Sequence, residues 1–213
     1  MSQRLEAGGA RVDDPEDFLV LRGWQTLEHR SAGEGQHVKL VRSADHGKNE
    51  CRLTRREFQV TYLAALGFAS KQTAVELHVA WATARATLSS ALNKLRLRAH
   101  THLPAFWHAL VLGGRTCVRL GRLEVVEFSS RFDRDGASRS LTLAEEDVLK
   151  GVIAGETNEG IARRRHTSER TVANQLAALF QKFGVSTRNE LAAKSLRLLP
   201  SSEHERWLRG TRN

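Results

Sequence analysis

The sequence predicts a mainly α fold: two tandem four-helix domains, each preceded by a short β-hairpin. Three observations carry that prediction. The chain has 213 residues, enough for two small domains with separate cores. Aromatic residues make up only 6% of it, which suits small helical domains better than a large β-sandwich. Finally, the chain repeats itself: displaced by 88 residues, segment 53–95 aligns with 141–183 without a gap, and ten of 43 positions are identical. The identities are Leu53/Leu141, Thr54/Thr142, Glu57/Glu145, Val60/Val148, Gly67/Gly155, Ala74/Ala162, His78/His166, Thr83/Thr171, Leu88/Leu176 and Lys94/Lys182. They fall where helix starts, turns and buried faces belong, so we read the repeat as a duplication.

In chain order, residues 1–17 read as a flexible tail. A short β segment follows. FLVLRGW (18–24) resembles ALVLGGR (109–115), and HVKLV (37–41) resembles EVVEF (124–128). Gly33 and Gly35 in the first copy and Gly121 in the second supply turns, so each pair reads as a hairpin. The helices are clearest in the second copy. Thr142 is an N-cap, and Glu145, three residues on, completes a capping box. Val148, Leu149, Val152 and Ile153 form an apolar stripe at helical spacing, and Gly155 stops the helix. Asn158 opens a short second helix through Ile161 and Ala162. Ser168 caps a third, with Val172, Leu176, Leu179 and Phe180 facing inward and Gly184 at its end. Thr187 caps a fourth with Leu191, Ala192, Leu196 and Leu199 on its apolar face, and Pro200 closes it. The first copy predicts helices near 54–66, 70–78, 81–95 and 103–111. Module 1 then covers 18–108, with its helices over about 53–108; module 2 covers 109–199, with its helices over about 141–199; and 200–213 is a C-terminal tail. A competing reading makes 104–112 the last helix of the first block.

Lys and Arg total 33 against 24 for Asp and Glu, a net charge of +9. That surplus points to a polyanion, either nucleic acid or an anionic membrane surface. No run approaches the roughly 20 apolar residues that span a bilayer, and the first residues lack the apolar core of a signal peptide. Cys51 and Cys117 are far apart and form no CxxC pair, so free thiols in a reducing cytoplasm are expected. The sequence holds no Gly-rich phosphate loop, nucleophile elbow or metal-ligand cluster; His100 and His102 form an isolated HxH. The reading is therefore not an enzyme, with no cofactor and no metal. Trp81, Trp107 and Trp207 read as packing residues, and His78 and His166 as packing at the end of the second helix of each block.

The second and third helices of each block are joined by a tight turn, His78-Val79-Ala80 in the first and His166-Thr167-Ser168 in the second. A turn of three or four residues lets the third helix stand out and enter a major groove about 12 Å wide. At this point the pattern LTxxExxVLxxxxxGxxNxxIA…SxxTVxxxLxxxxxKxGVxxRxEL resembles the LuxR-type (GerE-like or NarL-like) helix-turn-helix domain. The second block carries Leu141, Thr142, Glu145, Val148, Leu149, Gly155, Asn158, Ile161, Ala162, Ser168, Thr171, Val172, Lys182, Gly184, Val185, Arg188 and Glu190. The first is more degenerate. It keeps Leu53, Thr54, Glu57, Val60, Gly67, Ala74, Thr83, Leu88, Lys94 and Leu95, lacks the Gly-Val step and the arginine after it, and has Pro104 near its fourth helix.

The resemblance implies a sequence-specific DNA-binding transcriptional regulator of double-stranded DNA, bacterial and cytoplasmic, with no membrane partner. Its base-contacting positions are Arg85, Ala86 and Ser89 in the first block and Ala173, Asn174 and Ala177 in the second. Arg85 suits guanine and Asn174 suits adenine. Lys71, Arg163, Arg164, Arg165, Thr83, Thr171, Lys94 and Lys182 are candidate phosphate contacts. Relatives usually carry lysine or arginine where Ala173 stands and lysine where Glu159 stands, and the first block has Lys71 at the latter position. Charge follows the same division: seven basic and two acidic residues over 53–104, nine and seven over 141–199. Single-domain relatives pair through their fourth helix, so the two copies are expected either to pair inside one chain or to act in a homodimer. In the internal pair, Phe106, Trp107 and Leu110 would meet Leu191, Leu196 and Leu199. The alternative is a regulator in which one or both helix-turn-helix domains bind RNA polymerase or another regulator rather than specific DNA, motivated by the alanines at 86, 173 and 177.

Overall fold

A threonine–glutamate pair opens each helical block. Thr54 accepts from the Glu57 amide while the Glu57 carboxylate accepts from the Thr54 amide; Thr142 and Glu145 do the same. Two orphan donors are satisfied at each start, which fixes the first turn of α1 (Arg55–Ala65) and of α5 (Leu143–Ile153). In this computed structural model the described residues are 4–5, 19–20, 24–32, 35–43, 53–112, 114–131 and 141–196. Glycines end α1 and α5 in the left-handed region, Gly67 at φ +96° and Gly155 at φ +76°. The short helices α2 (Ser70–Glu76) and α6 (Asn158–Arg164) follow. Next come the longer α3 (Trp81–Lys94) and α7 (Glu169–Phe183), then α4 (Leu103–Leu112) and α8 (Arg188–Ser195). The bounds of α5 and α6 are those of α1 and α2 moved by 88 residues.

The β segments join in one antiparallel sheet. Strand β1 (Arg4–Leu5) pairs with β4 (Gly114–Leu120), β4 with β5 (Leu123–Arg131), β5 with β3 (Gly35–Ser43), and β3 with β2 (Gln25–Ala32). The centre of the sheet is β3 against β5. Lys39 sits opposite Glu127, its own equivalent at the 88-residue offset. Val38 faces Phe128 and Leu40 faces Val126, so each residue meets the equivalent of the other. That register places a local two-fold axis between Lys39 and Glu127. Arg42 bridges to its cross-strand partner Glu124 at 2.5 Å, and Arg119 reaches the same carboxylate at 2.6 Å. The arginines hold that carboxyl below its usual range despite the opposing effect of burial.

Two cores result. Val38, Leu40, Val126 and Phe128 line one face of the sheet and pack with Phe58, Leu95, Leu103, Phe106, Trp107 and Leu110. The second core gathers Val148, Val152, Ile161, Val172, Leu176, Leu179, Leu191 and Leu196, and it takes in Ala105 from α4. Among the described residues, no helix is long and apolar enough to cross a membrane.

Several sequence expectations need correction. Strand β2 starts at Gln25, after FLVLRGW, and residues 109–112 belong to α4 rather than to a strand. The offset between the hairpins is therefore 88, not the 91 that those two strings suggest. A boundary at 108/109 would cut α4, because the Ala105–Leu110 stretch is buried on several sides and continues one helix. The fourth helix expected near 103–111, or 104–112 in the competing reading, forms over 103–112. Asn158 does open α6, with Thr157 as its N-cap. Phe106, Trp107 and Leu110 join the core under the sheet rather than Leu191 and Leu196; of α4, Ala105 shares the second core with those two leucines. Leu199, Pro200, Cys51 and Trp207 lie outside the described residues.

Candidate nucleic-acid interface

The candidate interface is built on α3 and α7. Four residues, 77–80 and 165–168, separate these helices from α2 and α6. Each turn contains a histidine in the left-handed region, His78 and His166, both at φ 52°. Their backbones close the same way: Val79 N–H donates to Ala74 O and Thr167 N–H to Ala162 O, each at 3.0 Å. Both histidines are exposed rather than packed, because the reversed φ turns the side chain away from the helix pair. Below the turn, Val172, Leu176 and Leu179 anchor α7, and Ala84 and Ala91 anchor α3.

The opposite faces are open. Thr83, Arg85, Ala86 and Ser89 are all exposed on α3, and Thr171, Ala173, Asn174 and Ala177 on α7. Helical periodicity brings 85, 86 and 89, and likewise 173, 174 and 177, onto one face of each helix. Lys71 is exposed on α2 and, among the described residues, forms no ion pair. Arg85 also lacks a carboxylate partner there; its guanidinium lies over the Trp81 ring, 5.0 Å from the centroid. Trp81 is 48% exposed, so it is not the packing residue that its size suggests. The sequence signal for this role was its place, one turn before Arg85 and opposite Glu169 of the second block. Trp107 does pack in the core.

Five cations of the second block, Arg163, Arg164, Arg165, Lys182 and Arg188, are engaged within the fold. Arg163 bridges to Glu159 at 2.5 Å, Arg164 to Asp147 at 2.8 Å and Glu156 at 3.2 Å, and Arg165 to Asp147 at 3.0 Å. Lys94 and Lys182 behave alike. Each ammonium donates at 2.7 Å to the capping-box carboxylate of its own block, Glu57 or Glu145. Burial pushes the Glu57 carboxyl up, but Lys94, Ser90 and the Thr54 amide together hold it below its usual range. Lys182 and the Thr142 amide do the same for Glu145. These lysines thus tie the third helix of a block to its first. Arg188, at the start of α8, is another positioning residue: it donates to Asn158 Oδ1 at 2.6 Å and to the Glu156 carbonyl, locking α8 onto the entry to α6.

The two blocks touch in a reciprocal way. A Cβ on Gly67 would lie 2.7 Å from Glu190 Cα, and one on Gly155 would overlap the His102 ring at Cδ2. Gly67 and Gly155 are equivalent at the 88-residue offset, and so are His102 and Glu190. Burial lowers the His102 imidazole below the usual histidine value, helped by Arg98 and His100, and its ring lies 5.6 Å from that of His29.

Comparison with known proteins matches residues 139–195 to the family described as bacterial regulatory proteins, luxR family. No curated protein and no solved structure gives a significant match. The matched segment contains α5 through α8 whole, including the capped α7 and the turn before it. Residues 139–195 are therefore a helix-turn-helix domain of the luxR family of bacterial regulatory proteins.

Proposed function

We propose that this chain is a sequence-specific DNA-binding transcriptional regulator in which both helical blocks are helix-turn-helix domains of that family, paired within one chain. The observation that carries the reading is reciprocity: Gly67 meets Glu190 and Gly155 meets His102, while β3 meets β5 in a register that exchanges equivalent residues. In an isologous two-fold interface residue i meets j and j meets i, and that is the pattern here between halves of one polypeptide. Each half comprises a hairpin (25–43 or 114–131) and four helices. Arg85, Ala86 and Ser89 face bases from α3, and Ala173, Asn174 and Ala177 face bases from α7. Lys71, Thr83 and Thr171 hold phosphates, while Arg163 and Arg164, bridged to carboxylates, serve only secondarily as phosphate contacts. Lys94 and Lys182 serve first as struts and only secondarily as phosphate contacts.

A footprint of the purified chain on selected DNA, taken alongside its mass in solution, tests the reading. A monomeric chain should protect two adjacent half-sites about one helical turn apart. Binding that requires two chains would overturn the internal pair. A second reading has its own support: with Arg163, Arg164 and Arg165 tied to carboxylates and alanines at 173 and 177, the α7 face suits RNA polymerase or another regulator. DNA affinity that is indifferent to sequence and collapses with salt would favour it.

A further inference from the structure

Resting on the reading of the chain as an internal pair, we propose that its cognate DNA is a non-palindromic pair of inverted half-sites, with guanine recognition confined to the half under α3. A homodimer presents identical side chains to both halves of its site, so the site is a palindrome. Here the scaffold is two-fold but the reading faces are not. At equivalent positions Trp81 stands against Glu169, Arg85 against Ala173, Ala86 against Asn174 and Ser89 against Ala177. All eight are exposed, so none of these differences is imposed by packing.

The chemistry of each face selects a different half-site. The guanidinium of Arg85 offers paired donors that match guanine O6 and N7. It already rests over the Trp81 ring, and no carboxylate competes for it among the described residues. The exposed part of Trp81 supplies apolar surface of the kind that packs against a thymine methyl. On α7 alanine stands at the place of Arg85, and the exposed Arg170 lies a turn earlier, beside Glu169. Asn174 suits the N6 and N7 of adenine, and Glu169, at the first turn, repels phosphate where Trp81 tolerates it. The halves are fixed in one chain, so each complex has a single orientation on the DNA. A regulator of this build marks a direction along the duplex as well as a place.

Selection of sites from random duplex DNA by the full chain tests this, run beside a variant whose α3 face copies α7: Trp81→Glu, Arg85→Ala, Ala86→Asn and Ser89→Ala together. The wild-type chain should yield inverted, unequal half-sites with a required guanine in one only. The fourfold variant should lose that guanine and yield a palindrome. Arg85→Ala alone should weaken the wild-type site roughly ten- to a hundredfold and relax the guanine position. Trp81→Ala should cause a smaller loss that Trp81→Phe restores. Circular dichroism melts of these surface variants should match that of the wild type, which separates lost reading from lost folding. A palindromic or directly repeated wild-type site, or an unchanged site in the fourfold variant, overturns the inference while leaving DNA binding standing. A wild-type chain that selects no sequence overturns both.

Discussion

Every helix of the α5–α8 block starts on a hydroxyl: Thr142, Thr157, Ser168 and Thr187 each accept from an amide in the first turn. In the α1–α4 block Thr54 does so, but α2 and α3 begin on Ala69 and Ala80, which offer no side-chain acceptor. The ends differ in the same sense. The α7 helix stops on Gly184 at φ 59°, whereas α3 stops on Arg96, forced to φ 53° in the same left-handed turn. Charge runs the other way: Lys71 and Arg85 are open, while Arg163, Arg164 and Arg165 are bridged to carboxylates. One backbone plan thus tolerates two distributions of sequence. The capped block holds its shape by local signals; the other leans on its core beneath the sheet and leaves Lys71 and Arg85 for a ligand.

The strongest way to break the comparison is at the contact between the blocks. Gly67→Ala puts a methyl against the Glu190 backbone and forces alanine into positive φ. A loss of about 2–4 kcal/mol is expected from strain and overpacking. Gly155→Ala also falls at positive φ, but it meets the His102 side chain rather than backbone, so it should cost less. Chemical denaturation of both variants checks the order. If Gly67→Ala is the milder, the halves are not docked by this reciprocal contact.

The α5–α8 half was legible because its caps and its αL glycine are local signals with fixed spacing. Thr142, Ser168, Gly184 and Thr187 stand where the sequence puts them. The α1–α4 half was legible largely through the 88-residue offset, since Ala69, Ala80 and Arg96 give no such signal. The joined sheet was not legible. Hairpins can be read locally, but the β3–β5 pairing links residues far apart in sequence and leaves no spacing to read. The site was half legible: the resemblance to the family singled out Arg85 and Asn174, which are exposed, but the engagement of Lys94, Lys182 and Arg164 by acids depends on tertiary neighbours. Trp81 was misread because size alone suggests a core residue.

Exchanging caps sharpens the comparison. Ala80 and Ser168 share an extended backbone, φ −65°, ψ 145° and φ −83°, ψ 151°. Ser168→Ala should cost about 1 kcal/mol, and Ala80→Ser should add a gain of the same order. Thermal melts of the two variants should move in opposite directions. No gain from Ala80→Ser would mean that the entry to α3 is held by something other than its missing cap.

The C-terminal turn offers a smaller effect. Arg96→Gly should stabilise by about 0.5–1 kcal/mol, because glycine occupies positive φ without the Cβ penalty. The gain should vanish if Arg96 is itself a ligand contact and the melt is run with DNA bound, since removal of the cation then offsets the relieved strain. Denaturant midpoints with and without duplex DNA separate the two.

The smallest effect concerns single cations. On duplex DNA, the slope of log affinity against log salt falls by about 0.9 for each phosphate that a side chain ceases to neutralise. Lys71→Ala should reduce the slope by about that amount, because its ammonium has no acid to satisfy among the described residues. Arg164→Ala should leave it nearly unchanged, because Asp147 and Glu156 already hold that guanidinium. Equal slopes for the two variants would mean that DNA draws Arg164 away from its carboxylates, and the electrostatic inequality between the blocks would then be a property of the free chain alone.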